Sequence, residues 1–273
     1  VGGDNTVDLI FNGSGIVTDV LDTTDLAILV LPGLATVLGG AALLVVRRPS
    51  SVVLDALLGL TAGIMLAATF FSLLVPALER GSVGEVLVGF LLGGGVMAAA
   101  DRLLPHMHSR LREGESPSIE EATQVTSRQR AAMLLSALTI HNVPEGMAVG
   151  VALAAGGPEL AVPIALAIGI QNIPEGFAAA APLMATGMPT VRVATIGAAT
   201  GLVEPPAALA AFSIVSVSAA ILPAALAFAA AAMLYVVVDE LLPEAAAHGN
   251  ERVATGAFFV GFIVMMLLDV SLG

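Results

Sequence analysis

Apolar residues run in eight stretches along the chain, each bounded by charge, proline or glycine. They are Leu26 to Val46, Val52 to Leu78, Val83 to Leu104, Ala131 to Ala155, Leu160 to Met184, Val191 to Val217, Ala219 to Leu242 and Val253 to Leu272. Each is near the ~20 residues with which an α-helix crosses a hydrocarbon core about 30 Å thick. The pattern predicts eight membrane-spanning helices joined by short connections. The thinnest division lies near Ser216 to Leu222, where only a serine-rich patch and Pro223 separate one stretch from the next.

Composition sharpens this picture. The 273 residues are 57% hydrophobic and only 12% charged, with a mean hydropathy of +0.96. A soluble domain carries about a quarter charged residues, so that class is excluded. There is no cysteine, which removes disulfides, thiolate metal sites and thiol nucleophiles from consideration. Arginine supplies all ten basic residues and forms no run beyond Arg47-Arg48, so no nucleic-acid footprint is present. No cationic stretch opens the chain, so no cleavable signal peptide is expected.

Eight spans put both termini on one side, and the arginines say which. With the termini outside, Arg47, Arg48, Arg102, Arg110, Arg112, Arg128, Arg130, Arg192 and Arg252 fall on inner connections and only Arg80 falls outside. This is the positive-inside distribution of a cell (inner or plasma) membrane protein. Residues 1–25 hold five of the 22 acids (Asp4, Asp8, Asp19, Asp22 and Asp25) and read as a mobile acidic extracellular tail. Residues 26–273 form one transmembrane domain, with a charged cytoplasmic loop at about 106–129 that includes His106 and His108.

The candidate chemistry is a hexapeptide that occurs twice, thirty residues apart. His141-Asn142-Val143-Pro144-Glu145-Gly146 lies in the fourth span and Gln171-Asn172-Ile173-Pro174-Glu175-Gly176 in the fifth. Glu145, Glu175 and the sixth span's Glu204 would together cost roughly 7–10 kcal/mol facing lipid, at about 2.5–3.5 kcal/mol each. They must face something polar. Residues four apart share a helix face, which sets His141 over Glu145 and Gln171 over Glu175, with Asn142 and Asn172 on the flank. Pro144 and Pro174 each remove a backbone donor and are expected to bend their helices. Consecutive spans run antiparallel, so the two copies meet at similar depth around an approximate two-fold axis in the membrane plane.

One imidazole, three carboxylates and three amides without thiolate suit a Zn2+-like divalent ion. Two glutamates between two ligand clusters could bridge a pair of ions, one near His141, Gln171, Glu145 and Glu175, the other near Asn142, Asn172, Glu204 and the same glutamates. The competing reading is a polar clamp between helices, with Asn and Gln as glue.

At these residues the chain resembles the ZIP family of divalent-metal transporters, in particular its prokaryotic branch with HNxPEG and QNxPEG motifs. The likeness extends to Gly63 to Ser72, Glu204, Asp239 to Glu244 and Met265 to Asp269, and covers the chain from about Leu26 onward. It implies an all-α, eight-helix bundle in which spans one to three and six to eight are inverted repeats around four and five. It implies a first metal site of Met65, His141, Glu145, Gln171 and Glu175, and a second of Asn142, Glu145, Asn172, Glu175 and Glu204. Some relatives carry Asp where this chain has Asn172, which removes one negative charge from the second site. Ser72, toward the outer end, would by the same likeness be a gate or an entry ligand.

Asp55, Asp239, Glu240 and Glu244 could line the inner route, Asp269 falls toward the outside where an outer-vestibule or packing role fits it, and His106, His108 and His248 are inner-side histidines that could sense or chelate metal. The expected substrate is Zn2+, with Cd2+, Fe2+ or Mn2+ as alternates and no organic cofactor. The expected partners are the lipid bilayer and, by family likeness, a second copy in a homodimer. Gly59 and Gly63, and again Gly89 and Gly93, form close-packing faces that could serve either the bundle or a dimer. The expected activity is ion uptake by alternating access. Channel-like conductance through the same residues is the alternative. An intramembrane metal-dependent hydrolase is disfavoured, because the H-E-x-x-H pattern is missing.

Overall fold

A computed structural model describes residues 21–46, 49–103 and 127–272. Asp4, Asp8, Asp19, Arg47, Arg48 and all of 106–126 in the expected loop, including His106, His108, Arg110 and Arg112, lie outside the described residues. The described residues are helical without strands. Helix α1 is Thr23–Ala42, α2 Ser51–Arg80 and α3 Val83–Leu103. A helical stretch Ser127–Ala180 follows, and then α6 Thr190–Val217, α7 Leu222–Ala245 and α8 Glu251–Leu272. Among the described residues, seven helical segments are long and apolar enough to cross a membrane.

The Ser127–Ala180 stretch is too long to be one crossing, and its backbone leaves helical angles at Gly156 (φ −153°, ψ 18°) and Gly157 (φ 63°, ψ −158°). Glycine alone takes the second conformation at little cost. Pro158 follows and suits the first turn of a new helix. We call the two arms α4 (127–155) and α5 (158–180). Pro144 and Pro174 leave no such break. The residues around both keep helical angles, so the expected irregular backbone is not at the motifs, and the turn between the arms is made by the glycines instead.

Helix α1 begins earlier than hydropathy alone suggests. Asp22 accepts from the Thr24 and Asp25 backbone N–H groups at 2.7 and 2.8 Å, and Asp25 accepts from Asp22 N–H at 3.1 Å. This is a capping box. Asp22 and Asp25 therefore belong to the start of α1 and not to a mobile tail.

Four pairings build the bundle: α2 with α8, α3 with α7, α1 with α5, and α4 with α6. A Cβ added at Gly63 would sit 2.0 Å from the Phe258 carbonyl oxygen, and one at Gly93 would sit 2.2 Å from that of Phe228. The close-packing faces of α2 and α3 are thus used inside the chain. Exposure is inverted relative to a soluble protein: Glu145 and Glu204 are 0% exposed, while Leu91 on α3 is 71% exposed. Lipid is the solvent that this pattern fits.

Two helices contain π turns. In α2 the turn spans Thr69–Leu74, with Val75 N–H reaching back to the Phe70 carbonyl; in α7 it spans Val237–Leu241, with Leu242 N–H reaching Val237. Each is closely followed by a proline, Pro76 and Pro243. Such bulges re-aim side chains at functional sites.

Candidate metal centre

The two hexapeptides meet. Their glycines explain how neighbouring helices reach the same point. A Cβ at Gly146 would lie 2.3 Å from the Glu204 carbonyl oxygen, and one at Gly176 would lie 2.6 Å from that of Thr36. Glycine in each copy lets α6 press against α4 and α1 press against α5, which brings Glu204 and Thr36 to the motif level.

The resulting chamber is buried and polar. His141, Asn142, Glu145, Gln171, Asn172, Glu175 and Glu204 are all buried. Gln171 Nε2 donates to Glu145 Oε1 at 2.9 Å. The carboxyl groups of Glu145 and Glu175 face each other within interaction range. Asn172 Nδ2 donates to both Glu204 oxygens, at 2.8 and 2.9 Å, and to the Pro32 carbonyl at 3.0 Å. Thr36 Oγ1 donates to Glu204 Oε1 at 3.0 Å, and Asn142 Nδ2 approaches it at 3.4 Å.

Five buried atoms here make no hydrogen bond: His141 Nε2, which contacts the Glu240 carboxylate, and four oxygens, Glu145 Oε2, Gln171 Oε1, Asn172 Oδ1 and Glu175 Oε2. Each of the four oxygens is an acceptor. Burying such atoms unpaired is costly, and more acceptors would not relieve them. A cation would. The donor set, oxygen-rich with one imidazole, suits a divalent ion of the Zn2+ kind.

His141 is the link to a second group of acids. Its Nε2 contacts the carboxylate of Glu240 on the α7 π turn. Glu240, Asp239 and Asp101 of α3 bring carboxylate oxygens within 4.8 Å of one another. Exposure rises along this line, from the buried motif glutamates through Glu240, whose side chain is 19% exposed, to the exposed Asp239. The polar path therefore opens at the end of α7 that carries Asp239.

The remaining expected residues fall at the two ends. Ser72 Oγ donates to Asp269 Oδ1 at 2.8 Å, tying the α2 π turn to α8. Asp55 is fully buried near the start of α2, accepting from Asn250 Nδ2 at 2.9 Å and lying 2.8 Å from His248 Nδ1. It sits in a helix-loop joint and is not in contact with the chamber. Met65 is buried one turn beyond Thr61, whose hydroxyl reaches the Gln171 carbonyl at 3.5 Å. Glu244 lies at the end of α7, partly exposed.

Thr36 and Asp101 are the two residues of this region that sequence reasoning does not find. Thr36 is a lone hydroxyl in an apolar span, and threonine there commonly bonds its own helix backbone. Asp101 adjoins Arg102 at a span boundary, where a charge is ordinary. Its alignment with the π turn of α7 becomes visible only in three dimensions.

A family model described as ZIP zinc transporter matches residues 101–269 of this chain. Over 253 residues the chain is 40% identical to "Zinc transporter GufA" of Myxococcus xanthus, covering 89% of this chain and 96% of that protein. It is 39% identical to "Zinc transporter ZIPB" of Bordetella bronchiseptica over 255 residues, 88% of this chain and 78% of that protein. It is 36% identical to "Zinc transporter ZIP11" of Homo sapiens over 321 residues, 87% of this chain and 94% of that protein.

Proposed function

The chain belongs to the ZIP family of zinc transporters, and on that premise we propose that it carries Zn2+ across the membrane toward the cytoplasm through the chamber between α4 and α5. The observation that carries this reading is the set of four orphaned, buried oxygen acceptors around two facing glutamates. His141, Glu145, Gln171 and Glu175 hold the ion, with the Met65 thioether as an additional soft ligand. Asn142, Asn172 and Glu204 close the chamber toward α1 and α6.

Counting α4 and α5 separately gives eight crossings, with both termini outside and the arginine-bearing connections inside. The inverted relation of spans one to three to spans six to eight is supported by paired features. The π turn and following proline of α2 match those of α7. The Ser72–Asp269 bond joins spans two and eight, and the Asp239–Asp101 approach joins spans seven and three. Exchanging the halves maps one contact onto the other.

In this conformation the ion leaves by way of His141, Glu240 and the Asp101–Asp239 pair. Return to the outward state moves α1, α4, α5 and α6 against the other four helices. The driving force is electrical: a charge of +2 gains about 4.6 kcal/mol per 100 mV of inside-negative potential, so no second substrate is required. Because the ligands bind metal only when deprotonated, acidification at the chamber protonates the glutamates and lowers uptake.

The test is ⁶⁵Zn uptake into proteoliposomes. We expect saturable uptake by the wild type, slower at lower external pH, and loss of at least nine-tenths of the rate in His141→Ala and in Glu175→Gln. Unchanged uptake in both variants would remove this chamber from the transport path.

A further inference from the structure

We infer that the chamber takes one divalent ion, between Glu145 and Glu175, and that Glu204 and Asn172 form a hydrogen-bonded clasp where the motif resemblance implies a second ion. This deepens the zinc reading above and rests on it.

The three buried carboxylates are not equivalent. Glu145 and Glu175 each leave Oε2 without a partner. Glu204 has both oxygens taken, Oε1 by Thr36, Asn142 and Asn172, and Oε2 by Asn172. The carboxylate that would anchor a second ion is therefore already saturated by protein donors, whereas those of the first position are not.

Chemistry fixes which way the Asn172 amide points. One arm of it lies within 3.0 Å of three acceptors: Glu204 Oε1, Glu204 Oε2 and the Pro32 carbonyl. Only the NH2 arm can meet that surrounding. Turning the amide would set Oδ1 against the Pro32 carbonyl, which can only accept. An aspartate at this position would create the same clash of oxygens, and a cation would be needed between them. The two amide protons of Asn172 occupy the role of that cation.

The clasp also has a structural reach that a metal ligand does not need. It joins Pro32 and Thr36 of α1, Asn142 of α4, Asn172 of α5 and Glu204 of α6. Those are the four helices proposed to move together, and two members of the clasp, Asn142 and Asn172, adjoin the ion ligands His141 and Gln171. Glu204 and Asn172 are thus positioning residues for the ion site.

The experiment counts zinc. Purified protein in detergent is equilibrated with ⁶⁵Zn2+, and bound metal per chain is taken as the excess over the Glu145→Gln/Glu175→Gln double variant, which corrects for zinc on outer acids and histidines. We expect one ion for the wild type, two for Asn172→Asp, and one for Glu204→Gln with a lower unfolding temperature. Anomalous scattering at the zinc edge from wild-type crystals gives the same count without any variant, with one peak expected, beside Glu145 and Glu175. Two ions in the wild type, or a folded Glu204→Gln that binds none, overturns the clasp while leaving the zinc reading intact. A wild type that binds none overturns both.

Discussion

Each polar side chain in the chamber is defined by what its neighbours leave it to do. Gln171 shows this most directly: its Nε2 is spent on Glu145 Oε1 at 2.9 Å, and its Oε1 is left free. It both orients the Glu145 carboxylate and offers an oxygen of its own. Gln171→Ala removes both functions, and loss of an orienting partner alone typically weakens metal binding 10–100-fold. We expect zinc affinity to fall by about tenfold or more, measured by competition with a chromophoric chelator in detergent. An affinity within twofold of wild type would mean that Gln171 only fills space. At this scale the sequence is informative wherever helical spacing decides adjacency. His141 with Glu145 and Gln171 with Glu175 follow from a four-residue step, and all seven motif-level candidates are buried together. It is silent where adjacency crosses helices. Thr36 and Asp101 carry no local mark, and Asn172 signals only a missing charge, not the bidentate hold on Glu204 that its amide makes.

Helices in this chain are positioned by glycine and broken by specific devices, and these are legible in unequal degree. The apolar runs mark the helices to within a few residues. Kinks expected at the motif prolines lie elsewhere, because a buried helix can absorb a proline that its neighbours hold in place. Pro144 and Pro174 sit in helical backbone, while Gly156 and Gly157 turn the chain and the π turns lie just before Pro76 and Pro243. Tight helix contact offers a clean comparison. The space at Gly63 is filled by the Phe258 backbone, at 2.0 Å from a would-be Cβ, whereas Gly94 has nothing within 4 Å. Backbone cannot move aside as a side-chain tip can, so Gly63→Ala must push α2 away from α8, and overpacking of this kind costs about 1–3 kcal/mol. Gly94→Ala meets open space and gains helix propensity of up to about 1 kcal/mol. Thermal unfolding in one detergent should therefore move down for the first variant and stay level or rise for the second. Equal shifts would mean that α2 and α8 are not packed as described.

At the scale of the whole molecule, the carrier proposed above divides into two helix groups with the chamber at their border, and the polar path is graded toward one end only. At the end proposed to face outward, Ser72 is 3% exposed and bonded to Asp269; at the other, Glu240 and Asp239 reach the surface beside Asp101. A carrier requires that these two ends open in turn, whereas a pore requires that both be open at once. The absence of native cysteine makes the distinction measurable with single introduced thiols and a membrane-impermeant maleimide. In the conformation described, Asp239→Cys is accessible and Ser72→Cys is shielded. Vesicles of known orientation should label Asp239→Cys quickly from the cytoplasmic face and Ser72→Cys slowly from the outer face. In the proposed carrier the two groups of helices move as units, so any condition that raises labelling at Ser72→Cys should lower it at Asp239→Cys by a matching fraction of molecules. Zinc gradient and membrane potential are the natural conditions to vary, since both act on the charged ion in the chamber. Rapid labelling at both positions under one condition would mean a continuous water path through the bundle, and the four helices around Glu204 would then be a fixed pore wall instead of a moving unit.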